Sequence, residues 1–149
     1  MNDTTLNEEV GVSSIPKLPV AAAIVALAGL ADAVYLTVHH VTAEPVPCSI
    51  VEGCETVLTS PYATIGDIPL AAFGGVAYFV AFALALLTAF GNRLTWVLFG
   101  IQVALMSAFT LWLLYLQAYV IGAFCQFCLL SAVTTFTLLA LYIASRFTR

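Results

Sequence analysis

Four cysteines, Cys48, Cys54, Cys125 and Cys128, are the residues of this 149-residue chain best suited to chemistry. Cys125-Gln126-Phe127-Cys128 is a C-x-x-C run. If it opens a helix, residues three apart share a face and the two sulfurs can pair. The helix N-terminus would also stabilise a thiolate on Cys125, lowering its pKa and activating it. Cys128 would then lie about one turn deeper, where an electron acceptor dissolved in lipid could reach it. Cys48 and Cys54, with five residues between them, fall in a polar, acidic stretch. Such a pair can close a disulfide and present it to water, and disulfides exchange by thiolate attack through a mixed intermediate. One pair that carries electrons and one that receives them is the division the sequence offers. Two other uses of four cysteines stand beside it. Both pairs could be static staples, or the four could hold zinc, for which the five-residue gap is the poorer spacing.

Any relay requires the two pairs to meet, and that depends on the elements carrying them. The chain is 62% hydrophobic and only 8% charged, against about 25% charged in a soluble domain. Its mean hydropathy is +1.07. So few charges cannot cover a water-facing surface, and a membrane protein follows. Four apolar stretches are each long enough to cross roughly 30 Å of hydrocarbon as a helix. They run from about Pro19 to His40, Pro69 to Phe90, Leu94 to Tyr119 and Phe124 to Ala144. The expected architecture is an all-α bundle of four transmembrane helices spanning 19–146, between a polar tail at 1–18 and a short end at 147–149. Residues 1–14 are polar and acidic, unlike a cleaved signal peptide, so the first span is expected to be retained.

The connection from about 41 to 68 is long for a bare loop. Within it, Cys54 to Ser60 is expected to form a short helix over the bundle mouth, ended by Pro61. All the basic residues, Lys17, Arg93, Arg146 and Arg149, fall on one side of four spans, while Glu44, Glu52, Glu55 and Asp67 lie in the long connection. Positive charge marks the cytoplasmic side. Both termini are therefore expected in the cytoplasm, with all four cysteines converging on the extracytoplasmic face of a cell membrane. The absence of a basic patch argues against nucleic acid as a partner.

Taken together, these residues resemble the vitamin K epoxide reductase family in its prokaryotic branch. The resemblance rests on Cys48 and Cys54 in the first outer segment, Ser60 six residues beyond Cys54, and Cys125-x-x-Cys128 opening span four. Tyr35-Leu36-Thr37 and Ile68-Pro69-Leu70-Ala71-Ala72-Phe73-Gly74 add to it. It implies that Cys48 exchanges with an external thioredoxin-like thiol protein and that Cys54 attacks Cys125. Cys128 would then reduce a quinone of the menaquinone or ubiquinone class held among the helices, with no metal, and Ser60 would help by hydrogen bonding. The resting pairing it implies is Cys48 with Cys54 and Cys125 with Cys128, one of three possible full pairings. The net reaction would support disulfide formation. Many prokaryotic members carry a fused thioredoxin-like domain; the sequence ends at Arg149 without one, so a separate partner protein is expected. Vertebrate members place an asparagine and a tyrosine where this sequence has Leu70 and Ala132. Both replacements are apolar, which favours quinone over the epoxide of vitamin K as substrate.

Outside the cysteines, Asp32 lies within span one, nearer its outer end. An ionisable group there is costly unless it pairs, hydrates or protonates, so it is a candidate proton relay, or else a partner for a hydroxyl such as that of Tyr115. Tyr115 and Phe124 are candidate quinone contacts, with Tyr78 and Trp112 as further aromatic candidates. His39 and His40 are expected as interfacial anchors. A contrasting reading is a non-catalytic scaffold or small transporter stapled by disulfides, for which Gln102 and Gln117 are the main polar candidates beside Asp32.

Overall fold

Long runs of Ala, Val, Leu and Phe, broken only where Gly, Pro or Asn intervene, wind into four long helices. They are α1 (Lys17–Thr42), α3 (Leu70–Ala89), α4 (Arg93–Tyr115) and α5 (Gln126–Phe147). A five-residue helix, α2 (Cys54–Leu58), and a small hairpin of β1 (Thr64–Ile65) and β2 (Ile68–Pro69) lie between α1 and α3. The computed structural model describes residues 17–44 and 53–147, with Cys54 and Glu55 described by main chain alone. Cys48 and the expected acidic tail lie outside the described residues.

All four long helices are long and apolar enough to cross a membrane, the third when counted from Arg93 through Ile121. They pack as a ring in which α1 and α4 each contact α3 and α5. Large apolar side chains such as Ile24, Leu27, Phe79, Leu105 and Val133 point outward and stay exposed. That suits lipid, which asks for an apolar exterior and satisfied backbone groups. The protein is a four-helix transmembrane bundle.

The core is built for close approach. On α1, Ala22, Ala26 and Ala33 are buried against Ala81 and Ala85 of α3, which lets these two backbones come together. Phe99, Val103 and Leu138 fill the interior between α4 and α5. Trp96 stacks on Phe99 with ring centroids 4.7 Å apart and donates its indole N–H to Ser145 Oγ at 2.8 Å. The α3–α4 turn is held by Asn92, whose side chain accepts the Leu94 N–H. Lys17, Arg93 and Arg146 all fall at this end of the bundle, and residues 53–69 with Cys125 at the other.

Two boundaries differ from the sequence expectation for a physical reason. Regular α winding in the third span stops at Tyr115 rather than Tyr119, and Leu116–Ile121 forms a wider π turn. It closes with the Gly122 N–H on the Gln117 carbonyl at 3.0 Å, with Gly122 at φ +75°. The fourth span starts at Gln126 rather than Phe124, because Cys125 takes the capping position before it.

The connecting segment departs further. The expected Cys54–Ser60 helix ends at Leu58, and Pro61 opens a 3-10 turn (Pro61–Ala63) rather than simply ending the helix, since proline fits a first helical turn, where no N–H is needed. The hairpin pairs Thr64 with Pro69 and Ile65 with Ile68 around Gly66, which takes φ +64°. Two-residue strands leave too little alternation to read from sequence.

Candidate active site

Cys125 is placed by its backbone. Its carbonyl accepts the first helical bond of α5, from the Leu129 N–H at 2.9 Å. Its own N–H donates to Gln117 Oε1 at 3.2 Å, and Gln117 is buried within the π turn. Its sulfur occupies the place of an N-cap acceptor, receiving the Cys128 N–H at 3.5 Å. Cys125 and Cys128 are both free thiols in this structure. Cys125 has its pKa lowered to about 7, first by the hydrogen bond with the Cys128 side chain. The backbone N–H groups of Cys128 and Phe127 add to this, while burial and the Asp32 carboxyl oppose it. A thiol that receives hydrogen bonds at a helix start is lowered in this way.

The connecting segment closes over this sulfur. Val57 of α2 is buried against Cys125, with Leu58, Ile121, Ala123, Phe127 and Cys128 around them. Gly53 packs against the Phe124 main chain so closely that an added Cβ would overlap it. Residue 54 and residue 125 are each the next residue in their strands of chain, so the backbone of α2 enters beside the Cys125 sulfur. The side chain of Cys54 and all of Cys48 lie outside the described residues.

Cys128 packs in this same cluster and also lines a cavity of about 130 Å³ inside the bundle. Leu36, Leu70, Ala71, Leu113, Leu114 and Ala132 give it largely apolar walls; Asp32, His40, Tyr78, Thr110, Gln117 and Ser131 supply its polar edges. Leu70 and Ala132, the two positions that depart from the vertebrate pattern, both line it. Tyr78, from α3, crosses the bundle to α5. Its hydroxyl lies 2.7 Å from the Ser131 carbonyl, which can accept its proton, and 2.8, 2.7 and 2.8 Å from the hydroxyls of Ser131, Thr134 and Thr135. Gly29 of α1 makes room for the ring.

Asp32 is 8% exposed, lines this cavity, and neither carboxyl oxygen has a hydrogen-bond partner among the described residues. The alternative expectation of a bond to Tyr115 is therefore not met. Tyr115 lies half exposed, with its ring against Trp112 and Tyr119, and neither Tyr115, Trp112 nor Phe124 lines the cavity. Ser60 is also away from Cys128. It sits just past α2, donates its hydroxyl to the Val57 carbonyl at 2.7 Å, and lines a second, more open cavity of about 510 Å³. His39, His40, Glu44 and Thr64 line that vestibule as well.

The structure thus brings together Cys125, Cys128, Asp32 and Tyr78, and adds Gln117 and Gly53, which the sequence did not single out for the site. Gln102 instead reaches toward the Ala77 carbonyl at 3.4 Å. No group of three or more His, Cys, Asp or Glu suited to a metal gathers among the described residues.

The site is a dithiol at a helix start, covered by the connecting segment and bordering a largely apolar cavity within a four-helix membrane bundle. Residues 20–143 match the vitamin K epoxide reductase family, and the chain belongs to that family. It is also 36% identical over 116 residues to the thiol-disulfide oxidoreductase LTO1 of Arabidopsis thaliana, covering 72% of this chain and 31% of that protein. The chain thus spans about a third of the length of this relative.

Proposed function

We propose that this chain is a membrane thiol oxidoreductase that passes electrons from a thioredoxin-like thiol protein to a quinone of the menaquinone or ubiquinone class. The observation that carries the reading is a pair of adjacent sulfurs that joins the connecting segment to the inner cavity. Cys125 is buried under α2, and Cys128 lines the apolar cavity. The basic residues at the far end of the bundle support a cytoplasmic location for that end, with the cysteines extracytoplasmic.

In this reading Cys48 exchanges with the partner, and Cys54 takes part in a mixed disulfide with Cys125. Cys128 is released as that bond forms and supplies the electrons at the cavity. A quinone accepts two electrons and two protons there. The chain's residues hold the site: Gln117 fixes the Cys125 backbone, Tyr78 ties α3 to α5 at the cavity wall, and Val57 keeps water from the sulfur. Apolar Leu70 and Ala132 on the cavity wall favour a quinone over an epoxide that would need hydrogen bonds there. The relative's name as a thiol-disulfide oxidoreductase agrees with thiol chemistry.

The test is quinone reduction by the purified protein in detergent, driven by a reduced thioredoxin-like donor. Wild type is expected to turn over and Cys128→Ala to be inactive. An inert wild type whose disulfides resist exchange would leave the cysteines as staples.

A further inference from the structure

A dithiol that becomes a disulfide gives up two electrons and two protons; a quinone that becomes a hydroquinone takes up two of each. On the proposed reaction the electrons run through the cysteines, but nothing yet supplies protons inside the bundle. Among the residues lining the inner cavity, the titratable groups are Asp32 and His40 from α1, Tyr78 from α3 and Cys128 from α5, with no lysine or arginine. Tyr78 is held by Ser131, Thr134 and Thr135. Asp32 alone presents a buried carboxyl with both oxygens unpartnered. Such a group in a membrane span is costly, and membrane proteins keep one where a proton or ligand uses it.

The inner cavity borders the larger vestibule at the cysteine end. Leu36, His40 and Leu58 line both the inner cavity and the larger vestibule. Glu44 and His39 stand in that vestibule, and His39 Nδ1 is also a buried atom without a partner among the described residues. Asp32 lies ten residues before the end of α1 on this side and fifteen after its start on the other. Below it, Ala22, Ala26, Ala81, Ala85, Phe99, Val103 and Leu138 are fully buried and close the bundle.

Resting on the thiol-to-quinone reading, we propose that Asp32 is the proton donor to the bound quinone and is refilled through the His40 vestibule from the cysteine face. The protons lost by the dithiol and those gained by the quinone then exchange with the same aqueous side. No proton is drawn from the far side, and turnover moves no net charge across the membrane.

The experiment uses vesicles containing a ubiquinone-class quinone and an entrapped pH dye, with a reduced dithiol protein added outside so that only outward-facing cysteines react. Hydroquinone is expected to form with no change in lumenal pH. Asp32→Asn should slow hydroquinone formation by about 10²-fold or more, with partial rescue by Asp32→Glu. A quinone-free arm places Asp32→Cys in a chain whose four native cysteines are serine. A small impermeant thiol reagent should label it from the cysteine face and not from the other. An alkaline lumen, labelling only from the far side, or a folded Asp32→Asn working at the wild-type rate would overturn the proposal. The lumenal reading needs no variant, so a failure of Asp32→Asn to fold does not remove the test. If wild type makes no hydroquinone, the thiol-to-quinone reading fails, and the proton route falls with it.

Discussion

Gly53 lies directly against the main chain of Phe124, with its ideal Cβ position 2.8 Å from the Phe124 nitrogen and closer still to the Phe124 oxygen. The next residue on each side is a cysteine. The connecting segment therefore meets the bundle at the one place where Cys54 and Cys125 follow directly, and only a residue without a side chain permits it.

Gly53→Ala is expected to push α2 off the Phe124 backbone. A misplacement of about 1 Å can cost on the order of 10²-fold in rate. Thiol-driven turnover should fall by that order while the helical content of the bundle, measured by circular dichroism, stays unchanged. Unaltered turnover would mean that the contact does not set the approach of the two cysteines.

The Cys125 thiol, shifted down to about 7 from an ordinary value of 9.0, is expected to ionise early. Because the shift is downward, the thiolate appears as pH rises through about 7, and near pH 7 roughly half the sulfur is already reactive. Ultraviolet thiolate absorbance of the reduced Cys48→Ser/Cys54→Ser protein should show one such titration. A first midpoint near 9 would contradict it.

Gln117→Leu removes the acceptor of the Cys125 N–H and leaves a buried donor unpaired, a loss of about 1–3 kcal/mol. The variant should melt earlier in detergent, and the Cys125 titration should move upward as the start of α5 loosens. Gln117→Glu, which keeps an acceptor, should do less harm to stability.

Gly29 and Gly74 both sit on long helices but should respond oppositely. A methyl on Gly29 runs into the Tyr78 ring, whereas one on Gly74 meets nothing within 4 Å. Gly29→Ala is expected to destabilise by about 1–3 kcal/mol through overpacking, and Gly74→Ala to leave thermal melting unchanged or raise it. Equal effects would show that the Tyr78 ring can move aside.

These contrasts mark how far the sequence could be read. The four spans were legible because apolar runs of about 20 residues admit few other structures, and the C-x-x-C at a helix start was legible from spacing. Which aromatic residue faces inward was not. In a bilayer both the packed and the lipid-facing sides of a helix are apolar, so periodicity does not separate Tyr78, which lines the cavity, from Tyr115, which lies outside it. Asp32 was singled out because its charge is exceptional in a span. Gln117 became significant only once the π turn after Tyr115 carried it beneath Cys125, and no local pattern announces that turn. Ser60 was expected in the loop helix; its hydroxyl and backbone N–H both donate to the Val57 carbonyl, which places it just past that helix, on the vestibule.

The most direct test is to trap the bond between segment and bundle. In Cys48→Ser/Cys128→Ala neither Cys48 nor Cys128 remains to resolve the mixed disulfide, so oxidised protein digested without reductant should yield a Cys54–Cys125 cross-linked peptide by mass spectrometry. That peptide should be depleted when Gly53→Ala is added to the same variant. Recovery of Cys54 and Cys125 as free thiols after oxidation would contradict the relay through Cys54.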